Sequence, residues 1–164
     1  MSPYMFVLLQ FAVLAYAAVG GAFLTFSDFV MRSLSRTGGV GGVEAMQVIN
    51  REVFRWAFMT LFLGMTGLSA IIFGYAWFSI EGPAATLMLW AAGVYLVGCF
   101  VVTAAFNVPM NEALAGMDLS ADGTLAYWQT TYVPRWTFFN TVRTVASLVS
   151  AVLMMRALSL LPLS

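Results

Sequence analysis

Four stretches of this chain are too long and too free of charge to sit in water. Residues 1–27, 56–80 and 82–111 carry no charged side chain, and residues 136–155 carry only Arg143. At about 1.5 Å per helical residue, each run can cross a hydrocarbon core of about 30 Å. Lipid offers the backbone no hydrogen-bond partner, so spanning runs of this kind close their own bonds as helices. The composition agrees: 62% of the 164 residues are apolar and 9% are charged, where a soluble domain carries about a quarter charged. Seven basic and seven acidic groups cancel, which leaves no basic face to neutralise a phosphate backbone and excludes nucleic acid as a main partner. The partner is the lipid bilayer.

The expected fold is therefore an all-α membrane protein, a four-transmembrane-helix bundle forming a single membrane domain over residues 1–164. Its helices are expected at about 3–31, 54–79, 83–108 and 135–160, with proline as punctuation. Pro3, Pro83 and Pro134 fall near starts, and Pro109 and Pro162 near stops. No Lys or Arg precedes the first apolar run, so it reads as a retained helix rather than a signal peptide. Small residues one turn apart, Ala17 with Gly21 and Ala70 with Gly74, are expected to let helices approach closely. The second and third helices are joined by a tight turn around Glu81, whereas the first and third connections are long and polar, each with a short interfacial helix expected in it. In the first, Val43, Met46, Ile49 and Val53 repeat at helical spacing, and that helix is expected to continue into the second span. The third is rich in Tyr127, Trp128, Tyr132 and Trp136, as in a segment lying at the headgroups. Arg32, Arg36, Arg51, Arg55 and Arg135 flank these two connections, against Arg156 toward the other side. The positive-inside rule then places both connections in the cytoplasm and both termini outside.

Histidine is absent and Cys99 is the lone cysteine, so the usual ligand sets for zinc, copper, iron–sulfur clusters and His-ligated haem cannot be assembled. No metal site is expected. Cys99, within VGCFVV, reads as a small buried hydrophobe. There is no Ser–His or Cys–His pair and no phosphate-binding loop, which leaves carboxylates, arginine, amides and aromatics. Arg143 lies about two turns inside the fourth span and needs a bundle interior, a cavity or a carboxylate. Trp136, Asn140, Arg143 and Thr144 share its face. Asn107, Asn111 and Glu112 close the third span at the same depth, and Asp28, Gln47, Asn50 and Glu52 can reach that end. A purely structural reading pairs Arg143 with Asp28 or Glu112, uses the amides as caps, and makes the aromatics an interfacial belt.

The strings MQVIN (46–50), NVPMNEAL (107–114) and WTFFNTVRT (136–144), with GGAFLTF (20–26) in the first helix, resemble the anthrone oxygenase-like family of small four-helix membrane proteins. Its members are mostly bacterial, which implies a bacterial inner (plasma) membrane. Where the family often has VMPxL after the first helix, this chain has Val30-Met31-Arg32-Ser33-Leu34. The resemblance implies a cofactor-free oxygenase acting on a flat lipophilic phenolic or anthrone-like small molecule. In that reading Arg143, Asn140, Asn107 and Asn111 stabilise negative oxygen, Glu112 or Asp28 accepts a proton, and Trp136, Asn50, Gln47 and Phe26 bind the ring. The competing reading is a non-catalytic accessory or scaffold subunit of a larger complex, with partner subunits or further copies covering its faces. A transporter is disfavoured by the absence of a midplane acid and of inverted repeats. A pocket lined by Asn107, Asn111, Asn140 and Arg143 would separate enzyme from subunit.

Overall fold

A computed structural model describes residues 2–161, Trp56 through its backbone alone; Pro162 lies outside the described residues. The described chain is helical without strands, and four of its helices are long and apolar enough to cross a membrane. We label them α1 (Pro3–Ser35), α3 (Trp56–Ser79), α4 (Pro83–Ala115) and α5 (Asp122–Leu160), with the shorter α2 (Gly41–Glu52) in the first connection. α5 is the central element and packs along both α1 and α4; α3 packs mainly on α4 and less on α1. The buried face of α1 carries Leu9, Ala12, Tyr16, Val19 and Phe23 at separations of three and four, as one stripe of a helix must. Close helix contact falls at Gly20, where a Cβ would meet Ser147 and Leu148, and at Gly98, where it would meet Ala146. The expected pairs Ala17–Gly21 and Ala70–Gly74 do not do this. Ala17 and Ala70 are exposed, and nothing lies within 4 Å of a Cβ at Gly21 or Gly74.

Two of the long helices run further than their prolines suggest, and α1 runs past its expected end. α4 passes through Pro109 to Ala115, and α5 begins before Pro134, at Asp122. A π-helical segment precedes each proline, Thr103–Asn107 in α4 and Trp128–Tyr132 in α5. The proline then sits in the first turn of a new α segment, where its missing N–H costs no hydrogen bond. Two further π segments are Leu96–Val101 in α4 and Phe26–Val30, which carries α1 past its expected end. The helix expected in the third connection, Asp122–Tyr127, thus runs without a break into α5. Conversely, α2 does not continue into α3, because Arg55 is extended at φ −74°, ψ 138° and breaks the chain between them.

The aromatics of that connection are not an exposed belt. Trp128, Tyr132 and Trp136 stack in sequence, centroids 5.2 and 6.3 Å apart, and with Met31, Val43, Met46 and Leu114 form a second buried cluster. Gln47 ties α2 to it by donating to the carbonyls of Leu114 (2.8 Å) and Met117 (3.1 Å). The arginine-rich end of the bundle therefore has a core of its own.

Candidate functional site

Between that cluster and the main core lies a cavity of about 290 Å³ walled by all four long helices and α2. Its lining is mostly apolar, with Phe23, Phe26, Phe58, Phe62 and Trp136 among the walls and Asn50, Thr103, Asn111 and Arg143 as the polar groups. The walls are locked by edge and stacking contacts: Phe23 meets Phe58 and Phe62 edge-on, Phe58 stacks on Phe62 at 6.3 Å, and Phe26 leans on Trp136 at 5.8 Å. Such aromatic pairs fix ring planes as well as burying area.

Arg143 is 5% exposed and is the one charged side chain of the lining. Its Nη2 donates to Asn140 Oδ1 (2.5 Å) and its Nη1 to Thr103 Oγ1 (3.3 Å), while its buried Nε–H has no partner among the described residues. Neither Asp28 nor Glu112 pairs with it. Asp28 is exposed beside Arg32, 3.8 Å away and one turn on, and Glu112 is exposed outside the cavity. The guanidinium is instead sandwiched by rings, its Cζ 4.1 Å from the centroid of Phe23 and 5.3 Å from that of Trp136. Ring faces attract a desolvated cation, but they leave its hydrogen bonds open.

Two amide networks hold this geometry. Asn140 donates to the Phe23 carbonyl (2.6 Å) and to Ser27 Oγ (2.7 Å), so one amide fixes both the guanidinium and the α1 turn that carries its ring partner. Phe23 lies just ahead of the π segment that begins at Phe26, and its carbonyl accepts both the Phe26 N–H and the Asn140 amide. Nearer the mouth, Asn111 Oδ1 accepts from Tyr132 Oη and Trp136 Nε1, both at 2.8 Å, and Asn50 Nδ2 donates weakly to Tyr132 Oη at 3.4 Å. Asn107 donates to the Trp136 carbonyl (3.3 Å) and buries its own Oδ1 without a partner among the described residues.

Of the residues expected at the site, Arg143, Asn111, Trp136, Asn50 and Phe26 line the cavity. Asn140 and Asn107 lie behind the wall as supports, Gln47 anchors α2, and Glu112 faces away. Phe23, Thr103 and Tyr132 were not among the expected site residues. Thr103, Asn107 and Asn111 are spaced by four, which places them on one stripe of α4, and that spacing is the signal that finds Thr103. Phe23 and Tyr132 are marked by nothing beyond being aromatic.

No curated protein and no solved structure matches the chain. The family profile described as anthrone oxygenase matches residues 50–153, more than half of the chain. The match contains NVPMNEAL and WTFFNTVRT entire, begins at the last residue of MQVIN, and leaves GGAFLTF outside. The chain belongs to the anthrone oxygenase family.

Proposed function

We propose that the cavity binds a flat, lipophilic phenolic or anthrone-like molecule as its anion and that the protein is a cofactor-independent oxygenase for it. The observation that carries this reading is Arg143: a buried guanidinium with no carboxylate, an unpartnered Nε–H, and an aromatic cavity before it. A buried cation is costly unless something answers its charge. A phenolate or enolate oxygen supplies both the charge and an acceptor, while its ring takes the place of water against the Phe and Trp walls. An interface-filling subunit has no use for either feature.

The chemistry follows from the substrate. The bound carbanion gives one electron to O2; the resulting radical and superoxide combine to form a C–O bond, leaving a peroxide anion. Protonation of the distal oxygen, loss of the remaining C–H proton and cleavage of the O–O bond then yield a ketone and water. One CH2 and one O2 thus become one C=O and one H2O. Arg143 stabilises negative charge on the ring oxygen before electron transfer and on the peroxide after it. The cavity lining carries no carboxylate, so the first proton leaves to water at the headgroup level before the anion enters, and the cation assists by favouring the anionic form. The arginines of the α1–α2 and α2–α3 corners support a cytoplasmic location for this end of the bundle, with both termini on the outer side of a bacterial inner membrane.

The test is oxygen uptake by the metal-stripped protein in detergent with emodin anthrone, alongside Arg143→Met. Uptake above the spontaneous rate that is lost in a folded variant supports the reading. Uptake above the spontaneous rate but equal in both proteins contradicts the role of Arg143, and uptake no faster than the spontaneous rate in both favours the accessory subunit.

A further inference from the structure

The cavity is not equally closed on all sides. Trp136, Phe23, Phe62 and Arg143 form buried walls, and Phe54 is the one lining residue that is exposed, at 64%. Phe54 stands in the break between α2 and α3, where the chain leaves helical geometry before the extended Arg55. α2 rests on the ends of α1 and α4 through Gln47 and its apolar face, and packs only slightly on α3. Toward the gap at the α2–α3 break the described lining consists of exposed Phe54 with half-buried Ile49, Val53, Phe58 and Met59, and Ala22 across on α1. All six are apolar, and Asn50, the polar lining group of α2, is buried. On either side, Arg51 and Arg55 are exposed, Arg55 meeting Glu52 at 3.0 Å, as suits side chains at the headgroup level beside an apolar opening.

We infer that this gap is the substrate entrance, that it faces the bilayer rather than the cytoplasm, and that Phe54 is the residue that selects what passes. The inference rests on the cavity binding a flat aromatic anion, as proposed above. It adds the source of that ligand: a molecule dissolved in the membrane, its anionic oxygen near the headgroups and its rings in the acyl region, which slides edge-on between α2 and α3. An apolar rim discriminates against hydrated solutes because passing it strips their water without replacement hydrogen bonds. The exposed ring of Phe54 at the gap admits flat molecules and obstructs bulky ones.

Phe54→Cys tests this directly, since the native Cys99 is fully buried and stays unlabelled. A nitroxide attached at position 54 in lipid vesicles is expected to be relaxed more by oxygen, which concentrates in the bilayer, than by a water-soluble nickel chelate. The same label is expected to slow the association of emodin, followed by quenching of tryptophan fluorescence, by about tenfold relative to unlabelled Phe54→Cys. Leu63→Cys, on an outward position of α3 with 52% exposure, is the control: oxygen-accessible when labelled, and without effect on emodin association. Greater relaxation of the label at position 54 by nickel, or emodin association indifferent to it, overturns the bilayer entrance while leaving the binding site intact. Failure of the unmodified protein to bind emodin at all overturns the site itself, and the nitroxide still reports which phase the gap faces.

Discussion

The two halves of this bundle are made of the same apolar residues and pack in opposite ways. In the half that holds both ends of the chain, Leu9, Ile72, Met88, Tyr16 and Met154 are fully buried in one core. Its hydroxyls are mostly spent locally: Tyr16 pairs with Ser69 at 2.7 Å, and Ser69 returns a bond to the Met65 carbonyl at 2.6 Å. In the arginine-rich half, π segments interrupt α1, α4 and α5, a cavity lies beside a smaller core, and among the described residues Arg143 Nε and Asn107 Oδ1 are buried without partners. Unsatisfied buried polar groups cost stability. Ser150 Oγ is also buried without a partner among the described residues, and a further π segment, Leu96–Val101, carries Cys99 of the main core; what sets the arginine-rich half apart is that such features surround a cavity, as they do at functional sites.

The contrast makes predictions of different sizes. Arg143→Met removes a cation that lacks a counter-ion, so the protein is expected to stay folded with an unchanged or raised melting midpoint, while anthrone turnover falls about 100-fold or more. Loss of folding instead would return Arg143 to a structural role. Met88→Ala, in the packed half, is expected to do the reverse: unfolding in detergent and SDS mixtures shows a loss of about 2 kcal/mol, and turnover per folded molecule is unchanged. Thr103→Asp places a carboxylate where Arg143 Nη1 now finds a hydroxyl at 3.3 Å. An internal counter-ion competes with an anionic ligand, so emodin affinity is expected to fall about tenfold, by calorimetry, without loss of stability.

The smallest effect lies outside the membrane. Asp118 accepts the N–H and the hydroxyl of Ser120, both at 2.8 Å, and these bonds hold its carboxyl below the usual carboxylate range. A depressed folded-state value means that the contribution is present above the unfolded pKa and is lost as pH falls through the folded one. For a fully exposed group this is a local effect, visible as a low titration midpoint in carbon-detected NMR. Asp118→Asn leaves both stability and turnover within error.

The fold was largely legible because charge-free length has few alternatives in a polypeptide. The polar stripe of α5 was equally readable, since helical spacing put Trp136, Asn140, Arg143 and Thr144 on one face and all four are buried. Helix ends were not: a π segment before Pro109 carries α4 past its expected stop, one before Pro134 lets α5 begin ahead of its expected start, and nothing local announces either. The structural alternative that pairs Arg143 with Asp28 or Glu112 fails for a related reason. Opposite charges invite pairing, but Asp28 answers Arg32 on its own helix, and what surrounds Arg143 is rings, which carry no charge in a sequence. The pairs at Ala17–Gly21 and Ala70–Gly74 had the right spacing on the wrong face, because small size does not say which side of a helix turns inward.

The central claim is that one half of the bundle is a site and the other its support, with Arg143 as the point where they differ. Equilibrium binding of emodin to the parent protein, Arg143→Met and Met88→Ala, read by tryptophan quenching in detergent, tests it most directly. The account predicts one emodin per chain with the same affinity for the parent and Met88→Ala, and a loss of about tenfold or more for folded Arg143→Met. Equal binding by Arg143→Met and the parent would contradict it.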